Sequence, residues 1–377
     1  MTAKTDAQRI TRLIPVEEVL AHIERLVEPV EPHEVALAAA HGVLGGVLAS
    51  DVLAGPRPLQ PVALRDGWAV VAGLTADAGS YSPVRLDPAI RIASGEPLPP
   101  GADAVAPPDA VVVRGGGAEI IDPVTAGDGV LPAGADCGPQ RPLLRAGARM
   151  NMVNAAVLAA AGVTRVCVRA PRIFVAQARP GHDEVLAAAC VLISRGVAAE
   201  GAVPSEALAG DVAAALGDAA VGAFIIVGGT GCGRNDASVR TLSTIGRVET
   251  HGIALSPGET AAFGMIGARP VLMIPGRLDA ALAAWLVLGR RLLARLIGAA
   301  EKQEQEEEKT AVLARKIASP LGMTEVVPVR CRGGEAEPLA SGYWPLQAIA
   351  DANGWIEVPP GSEGYPAGAA VVVRAWP

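Results

Sequence analysis

Hydrophobic positions near the start of the chain recur at the spacing of an α-helix. In residues 15–27 apolar side chains occur every three or four positions, and Glu17 and Glu18 stand in the first turn. Acidic side chains there interact favourably with the helix dipole, and the apolar spacing turns one stripe toward a core. The pattern predicts an amphipathic helix over this segment.

The pattern changes between residues 46 and 145, where short apolar runs are separated by proline and glycine. Runs of this length with turn residues between them predict short β-strands. Residues 151–163 return to helical spacing and stop at Gly162, a residue suited to the position after a helix end. We therefore predict a mostly-β region that is followed by a helix.

From residue 171 onward, strand-like and helix-like segments alternate with short connections, the helical ones being 183–196, 205–217, 237–246 and 278–297. Alternation of this kind is typical of a parallel α/β sheet. The apolar run 223–227 fits a central strand that helices cover on both faces. Residues 310–377 revert to short strands and turns.

These changes divide the chain into four predicted domains: an N-terminal helical and linker domain (1–45 and 146–170), a mostly-β domain (46–145), an α/β domain (171–300) and a C-terminal β domain (310–377). Residues 301–309 form a charged run without an apolar face. Such a run is typical of a solvated helix end or hinge, and an acidic binding tail is the alternative.

Composition limits the classes of protein to which the chain can belong. Half of the residues are apolar but only 3% are aromatic, so alanine, valine, leucine and isoleucine must build the cores. A net charge of −7 provides no basic surface for nucleic acid. The five cysteines are far apart without a CxxC pair, which argues against zinc or disulfides and favours a reducing compartment.

Neither a secretory signal nor a membrane span is predicted. The segment MTAKTDAQRI contains no apolar stretch of the kind that a signal peptide needs. The longest apolar segment, residues 278–298, contains Asp279, Arg290, Arg291 and Arg295, whose charges are costly in lipid. We therefore expect a long amphipathic helix there and a cytoplasmic protein.

A glycine-rich loop follows the predicted central strand. Residues 224–238 contain an apolar run, glycines at positions 228, 229, 231 and 233, and a polar stretch with Asp236. Such a turn can offer backbone N–H groups to a phosphate, although a tight turn without a ligand fits equally well. The third glycine stands one residue too early for a dinucleotide fingerprint, and no Walker motif occurs, so a nucleotide-binding dehydrogenase is disfavoured.

Further motifs with proline, glycine and acidic residues at fixed spacing occur along the chain. They lie in residues 63–70 (ALRDGWAV), 93–109, 129–150, 178–185 (ARPGHDEV), 256–264 (SPGETAAFG), 274–280 (IPGRLDA) and 340–373. Together with the glycine-rich loop, and in this order, they resemble the molybdopterin molybdenumtransferases, the bacterial relatives of the C-terminal domain of gephyrin. The resemblance extends over essentially the whole chain.

This resemblance implies a fold class that is multidomain α/β and β. A three-layer α/β domain binds molybdopterin, a mostly-β domain is inserted before it, and the C-terminal domain is a β-barrel. The resemblance also implies an elongated homodimer, in which the second domain of one subunit faces the α/β domain of the other. Nucleic acid and membranes are not expected partners.

The activity implied by the resemblance is the insertion of molybdenum, delivered as molybdate, into adenylylated molybdopterin. The family releases AMP in this reaction with the help of Mg²⁺, and the adenylyltransferase that supplies the substrate is an expected partner. Because diphosphate and molybdate are anions, carboxylates alone would repel them, whereas carboxylates that hold a hard cation reverse the local sign. Acidic residues are therefore the first candidates for the site.

Motif positions assign the site residues. The catalytic acids are Asp66, Asp136, Glu184 and Asp236, of which Asp66 and Asp236 are the expected metal ligands. The cofactor-binding residues are Ser94, which replaces a threonine, and Gly228, Gly229, Thr230, Gly231, Gly233, Pro257, Gly258, Pro275 and Gly276. Some acids also have a structural interpretation: Asp66 precedes a glycine in a turn pair, Asp236 can cap a helix, and Glu184 suits a first helical turn.

Two other residues near these motifs suggest a catalytic role. Cys232 lies inside the glycine-rich loop, but only Arg234 is close enough in sequence to activate its thiol, so a small apolar filler is favoured over a nucleophile. His182 is an insertion relative to the family motif, so a surface-loop position is favoured over a general base.

The chain departs from the family on the cationic side of the expected site. The lysines of a K-P-G-K-P motif are Ser256 and Glu259 here, and Arg277 replaces the asparagine of a P-G-N-P turn. Like charges 4 Å apart repel by roughly 1 kcal/mol even in water. Two hypotheses stay open: arginines at positions 65, 179, 234 and 277 replace the lysines in a divergent transferase, or a catalytically degraded relative binds molybdopterin or a partner protein without inserting metal. The first is favoured.

Overall fold

The computed structural model describes residues 8–38, 44–179, 183–206, 212–299 and 308–377. The interpretations of His182 and of most of the charged run 301–309 therefore fall outside the described residues. The chain forms two compact units, a larger one of Met1–Ser50, Gly147–Met152 and Arg165–Pro377 and a smaller one of Asp51–Ala146 and Val153–Thr164. The finer division into four domains stays a prediction.

The helices confirm the periodicity of the sequence in most places. They are α1 (Val16–Leu26), α2 (Met152–Ala160), α3 (Glu184–Ala199), α4 (Val212–Gly217), α5 (Ser238–Ile245), α6 (Leu278–Ala284), α7 (Arg290–Ile297) and α8 (Leu346–Asp351). Val19 and Ile23 of α1 are buried, as their spacing predicts. Past the end of α2, Gly162 has a φ of 81°, a left-handed conformation that glycine adopts without steric penalty.

The strands are short, and most belong to small sheets. Those before residue 170 are β1 (His33–Ala36), β2 (Val47–Leu48), β3 (Val62–Ala63), β4 (Gly67–Val70), β5 (Val84–Leu86), β6 (Ile90–Ile92), β7 (Ala104–Ala106), β8 (Val111–Arg114), β9 (Gly117–Ile120), β10 (Val130–Leu131) and β11 (Arg165–Arg169). Those of the α/β region are β12 (Arg172–Gln177), β13 (Val203–Glu206), β14 (Val221–Val227), β15 (Arg247–His251), β16 (Leu255–Ser256), β17 (Ala262–Ile266) and β18 (Arg269–Ile274). The last group is β19 (Lys309–Leu313), β20 (Ile317–Ala318), β21 (Thr324–Arg332), β22 (Glu335–Pro338), β23 (Gly354–Val358), β24 (Gly364–Tyr365) and β25 (Ala370–Ala375).

A six-stranded sheet in the order β13–β12–β14–β18–β17–β15 forms the centre of the α/β region. Its first four strands are parallel, and β17 runs antiparallel to both of its neighbours. Alternate residues of β14 face opposite cores: Ile225 packs with the core that includes α3, α6 and α7, and Phe224 packs with the core under α5. The predicted three-layer α/β fold is therefore confirmed, and both faces of its central strand are covered.

Two of the predicted helices differ from what the sequence suggested. Ser205 and Glu206 belong to β13, which pairs with β12, so the helix predicted from residue 205 is wrong at its start. The long helix predicted over 278–297 is interrupted by a π-helical turn at Trp285–Gly289. A Cβ on Gly196 of α3 would lie only 2.7 Å from the Trp285 ring, so the buried indole fills the space beside that glycine.

The smaller unit is mostly β, as predicted. Its strands form three sheets in the orders β10–β3, β6–β4–β7 and β5–β9–β8. Small side chains such as Ala104, Ala106 and Ala118 fill its core around Ile120. Partly buried Trp68 packs against this core, which is otherwise built from alanine, valine, leucine and isoleucine, as the composition of the chain requires.

The C-terminal region contains the predicted β-barrel. Its strands follow the order β21–β22–β19–β25–β23, and β23 pairs with β21 again, which closes the ring. Buried Val327, Ile356 and Val373 fill the interior. No helix in the described parts of the chain combines the length and the apolar composition needed to cross a bilayer.

Candidate functional site

A cleft of about 480 Å³ lies where the parallel strands of the larger unit end. It is bordered by the loops that follow β12, β14 and β18 and by the first residues of α3 and α6. Crevices at the carboxyl ends of parallel strands are the usual ligand sites of α/β sheets, because loops from neighbouring strands converge there. Several predicted site residues come together in this cleft, namely Gly228, Gly229, Thr230, Gly231, Asp236, Pro275 and Gly276. The predicted Gly233, Pro257 and Gly258 are not among its bordering residues.

The glycine-rich loop has a fixed backbone. Gly228 and Gly229 have φ values of 92° and 68°, and the Gly228 N–H donates to the carbonyl of Ile274 at 2.8 Å. The Ser238 hydroxyl, at the start of α5, donates to the carbonyl of Gly228 at 3.0 Å. A Cβ on Gly229 would collide with this hydroxyl and lie 3.0 Å from Ala178 Cβ, so only glycine fits.

Asp236 is bound to the loop and does not cap the helix that follows it. Helix α5 begins at Ser238 and its N-cap is Ala237, whose side chain has no acceptor, while the Arg240 N–H in the first turn donates to Gln8 Oε1 at 3.4 Å. The Oδ2 atom of Asp236 instead accepts a hydrogen bond from the Gly233 N–H at 3.0 Å. A Cβ on either Gly231 or Gly233 would lie 2.8 Å from this oxygen, which explains both glycines. The carboxylate is half-buried at the cleft, and among the described residues its Oδ1 accepts no hydrogen bond, which leaves that atom for a ligand.

Two hydroxyl groups lie opposite each other at the cleft. Thr230 Oγ1 is 2.9 Å from Thr260 Oγ1, and Thr230 is only 2% exposed. His251 Nε2 lies 2.9 Å from the carbonyl of Thr230 and holds the same segment from the other side. Sequence reasoning identified Thr230 but missed Thr260, although a hydroxyl next to Glu259 in a family motif was the available signal.

The N-terminal segment supplies a residue that no sequence pattern marked. The side-chain amide of Gln8 donates to the carbonyls of Gly229 at 2.8 Å and Gly231 at 2.6 Å. These two hydrogen bonds tie the glycine-rich loop to the N-terminal segment and so hold the loop in one conformation. A single glutamine before the first helix carries no periodicity or spacing, so the sequence alone could not have identified it.

Two acidic residues stand at the start of α3, of which Glu184 was predicted as a site residue and Asp183 was not. Asp183 borders the cleft and caps α3, because its Oδ1 accepts from the N–H groups of Val185 and Leu186 at 3.1 Å each. Glu184 is the first residue of the helix, is exposed, and is not among the residues that border the cleft. Asp183 is thus the acid of this pair that the cleft presents.

The other predicted acids belong to the smaller unit. Asp66 and Ser94 come together there, since Asp66 Oδ1 accepts from the Ser94 N–H at 2.8 Å, and both residues are exposed. Gly67 follows Asp66 because a Cβ at that position would collide with the carbonyl of Ala106. Asp136 is also exposed, and its backbone N–H donates to the carbonyl of Arg57 at 2.9 Å.

The cationic side of the cleft differs from a lysine pair. Ser256 is 6% exposed in β16 and does not border the cleft, with Pro257 and Gly258 buried after it. Glu259 is exposed at the cleft, and its Oε2 accepts from the Gly258 N–H at 3.2 Å. Arg277 borders the cleft as well and is paired with Asp279.

The four arginines proposed as replacements have different surroundings. Arg179 and Arg277 border the cleft, whereas Arg234 is exposed and is not among its bordering residues. Arg65 lies in the smaller unit, where its Nε and Nη2 donate to the carbonyl of Val105 at 3.1 and 2.7 Å. Hydrogen bonding to Asp279 raises the pKa of Arg277 above its usual value.

Cys232 is exposed, so its interpretation as a packed apolar filler is wrong.

The oxygen atoms at the cleft fit a hard cation only if the ligand and water supply part of its coordination shell. Among the described residues, no group of three or more His, Cys, Asp or Glu side chains is placed to hold a metal. Mg²⁺ is commonly held by one or two carboxylates, with phosphate oxygens and waters completing its shell. Asp236, with Glu259 as a second carboxylate at the cleft, is suited to that mode.

Comparison with known proteins agrees with this architecture. A family model described as the MoeA N-terminal region (domain I and II) matches residues 14–162. A second model, the MoeA C-terminal region (domain IV), matches residues 310–376, and the two together span more than half of the chain. The chain belongs to the MoeA family.

Similar full-length proteins support the same conclusion. Molybdopterin molybdenumtransferase 1 of Mycobacterium tuberculosis is 28% identical over an alignment of 400 positions, which covers 90% of this chain and 90% of that protein. A putative molybdopterin biosynthesis protein of Methanocaldococcus jannaschii is 30% identical over 152 residues, but these cover only 40% of this chain and 35% of that protein. The resemblance to the molybdenumtransferases that the sequence motifs indicated is therefore confirmed.

Solved structures of MoeA proteins share the fold. A crystal structure of the molybdopterin biosynthesis MoeA protein from Pyrococcus horikoshii OT3 superposes with a TM-score of 0.71 at 21% identity and covers 97% of this chain and 100% of its own. A second structure of the Pyrococcus horikoshii protein gives a TM-score of 0.71 at 26% identity, covering 97% and 99%. The fold predicted from the motifs is thus that of MoeA proteins.

Proposed function

We propose that this MoeA-family protein acts in molybdenum cofactor biosynthesis as a molybdopterin molybdenumtransferase. It inserts molybdenum, delivered as molybdate, into adenylylated molybdopterin and releases AMP in a reaction that requires Mg²⁺. The observation that carries the proposal is Asp236, a carboxylate that is held over a glycine-rich loop at the ends of parallel strands and is not used to cap a helix.

The residues at the cleft have complementary tasks in this proposal. Backbone N–H groups of the glycine-rich loop and the hydroxyls of Thr230 and Thr260 bind diphosphate oxygens. Asp236 would hold Mg²⁺, which when bound neutralises phosphate charge and polarises the bond that is cleaved. The loop is fixed before the ligand arrives, so little ordering is needed when the ligand binds.

The family assigns further residues that complete the proposal. Asp66, Asp136, Glu184 and Ser94 are the remaining acids and hydroxyl of the reaction, with Asp66 as a second metal ligand. We expect the enzyme to act in the cytoplasm and to receive its substrate from an adenylyltransferase. We also expect a homodimer whose pocket is shared between subunits, so dilution to a monomer should abolish activity, as sedimentation combined with the assay below would test.

The deciding experiment is an AMP-release assay. Purified protein is mixed with adenylylated molybdopterin, molybdate and Mg²⁺, and AMP is quantified by chromatography. The proposal predicts multiple turnovers that stop when molybdate is omitted or Mg²⁺ is chelated. Binding of the pterin without AMP release would contradict it.

A second function is favoured by the charges at the cleft. Among the described residues, three carboxylates (Asp183, Asp236 and Glu259) and two arginines border it, and one of these arginines is paired with Asp279. This balance suits a relative that binds molybdopterin or a partner protein without inserting metal. In that case the pterin binds without AMP release, and Asp66→Asn leaves the cellular role intact.

A further inference from the structure

Arg277 is the strongest candidate for an anion-binding side chain that the family motif does not contain. It replaces the asparagine of the P-G-N-P turn, lies directly before α6, and borders the cleft beside Gly276. Its side chain is 60% exposed, whereas that of its partner Asp279 is 3% exposed. The pair therefore extends from the protein interior to the cleft.

The guanidinium is held by one edge only. Its Nε donates to Asp279 Oδ1 at 3.0 Å and its Nη2 donates to Asp279 Oδ2 at 2.6 Å. Within the described parts of the chain, Nη1 donates to no protein acceptor. A guanidinium carries five N–H donors, so the edge that contains Nη1 is available for a second oxyanion.

Asp279 is held in turn by the C-terminal domain. Its Oδ2 accepts from the backbone N–H of Trp344 at 3.2 Å, and the guanidinium carbon of Arg277 lies 5.4 Å from the centre of the Tyr343 ring. The turn that carries these aromatic residues is tied to buried Glu325, whose Oε1 accepts from the Ser341 hydroxyl at 2.6 Å. A buried carboxylate is stable only when it is paired, which gives Asp279 a strong preference for this arrangement.

We propose that Arg277 binds a phosphate or molybdate oxygen through its Nη1 edge and that Asp279 is the positioning residue that aims this edge into the cleft. The proposal rests on the proposed function, because that function supplies an oxyanionic ligand. Arg277 would then supply the positive charge that the family's lysines supply, but from a different loop and with its guanidinium held by Asp279.

The test measures binding and turnover separately. Inorganic pyrophosphate and, in a second series, molybdate are titrated by calorimetry into full-length protein with Mg²⁺, and the KM for adenylylated molybdopterin and for molybdate is measured alongside. The variants are Arg277→Met, Arg277→Lys and Asp279→Asn. Arg332→Met, an exposed arginine of the barrel that does not border the cleft, is the matched control.

In Arg277→Met, loss of a charged hydrogen-bond donor should weaken the binding of the ligand that contacts this residue about 10- to 100-fold. Arg332→Met should stay within about twofold. Asp279→Asn should raise the KM of the same ligand about 3- to 10-fold with little change in kcat, because the guanidinium is still present but no longer aimed. Arg277→Lys should not restore affinity, since an ammonium group is a compact point charge without the planar fork that presents one edge to Asp279 and another to the ligand. The probe whose affinity falls, pyrophosphate or molybdate, shows whether Arg277 binds a phosphate or a molybdate oxygen.

Unchanged affinity of Arg277→Met for both probes overturns the inference, and so does a wild-type protein that binds neither probe. If Arg277→Met loses probe binding but the wild type releases no AMP, the inference is supported and the proposed function is contradicted. AMP release by the wild type together with an unchanged KM in Arg277→Met supports the proposed function and overturns the inference. If Asp279→Asn fails to fold, the exposed Arg277 variants still decide the result.

Discussion

The two sides of the cleft are built from different parts of the chain. On one side the glycine-rich loop presents backbone groups that are fixed by Ser238, Gln8 and the neighbouring strand. On the other side the surface consists of charged side chains, chiefly Glu259 and Arg277. The first side keeps the family pattern, and the second departs from it.

This difference shows which features of a binding site tolerate sequence change. A backbone N–H group is present whatever the side chain, provided that the chain can adopt the required turn. A charge, by contrast, can move to another loop if a new partner fixes it, as Asp279 does for Arg277. We therefore expect substitution of the lysines to be compatible with a working anion site.

The largest effect should come from the carboxylate on the backbone side. Asp236→Asn is expected to lower AMP release about 100-fold, because removing one negative charge weakens a site for a divalent cation. Asp128→Asn is a matched control, since Asp128 Oδ2 accepts from the Thr125 N–H at 3.0 Å in the same local geometry but outside the cleft. Equal activity losses in both variants would show that loop stability, and not the charge, is at stake.

The next effect concerns the stability of the loop. Gly229→Ala should lower the free energy of unfolding by about 2–3 kcal/mol, because the added Cβ both strains the positive φ and collides with Ser238. Gly267→Ala has a similar φ of 60° but nothing within 4 Å, so it should cost about 1 kcal/mol. Urea unfolding of the two variants in parallel measures the difference. Equal losses would mean that the loop relaxes around the methyl group.

A smaller effect is expected on the charged side. Glu259→Lys restores the charge of the family motif and should tighten pyrophosphate binding about 5-fold, corresponding to roughly 1 kcal/mol. Glu259→Gln, which removes the charge without adding a new one, should give an intermediate gain. Calorimetric titration at low and high salt checks both values, and weaker binding in Glu259→Lys would mean that Glu259 itself holds the cation.

The smallest effect should follow modification of a thiol at the rim of the glycine-rich loop. Exposed Cys232 should react with iodoacetamide before Cys331, because burial raises the pKa of Cys331 and leaves less thiolate at a given pH. Mass spectrometry gives the order. Since the backbone contributes the binding groups on this side, the modified protein should bind pyrophosphate within about twofold of the unmodified protein.

Much of the fold was accessible from periodicity. The run at β14 predicted a central strand because Phe224 and Ile225 must face two different cores. The start of α4 was not accessible, because pairing with β12 draws Ser205 and Glu206 into a strand despite their helical context. Local sequence does not contain such tertiary pairing.

Part of the lining of the cleft was predictable from glycine and proline, which mark backbone geometry directly, as at Gly228, Gly229, Pro275 and Gly276. Pro257 and Gly258 were predicted in the same way but are buried and do not border the cleft. The pairing of Arg277 with Asp279 was not predictable, because residues two apart on a helix do not face each other. Arg277 has an extended conformation with a ψ of 136°, however, so its side chain folds back onto the first turn of α6. That conformation is set by the turn and has no signature in residue type.

The contact of Gln8 with the glycine-rich loop has a practical consequence for handling the protein. Trimming the chain ahead of α1 to improve expression would remove the amide that occupies the carbonyls of Gly229 and Gly231. We expect such a shortened protein to remain folded around its sheets while its phosphate cradle becomes heterogeneous. Preparations that retain Gln8 are therefore the appropriate material for crystallisation and for screening of ligands.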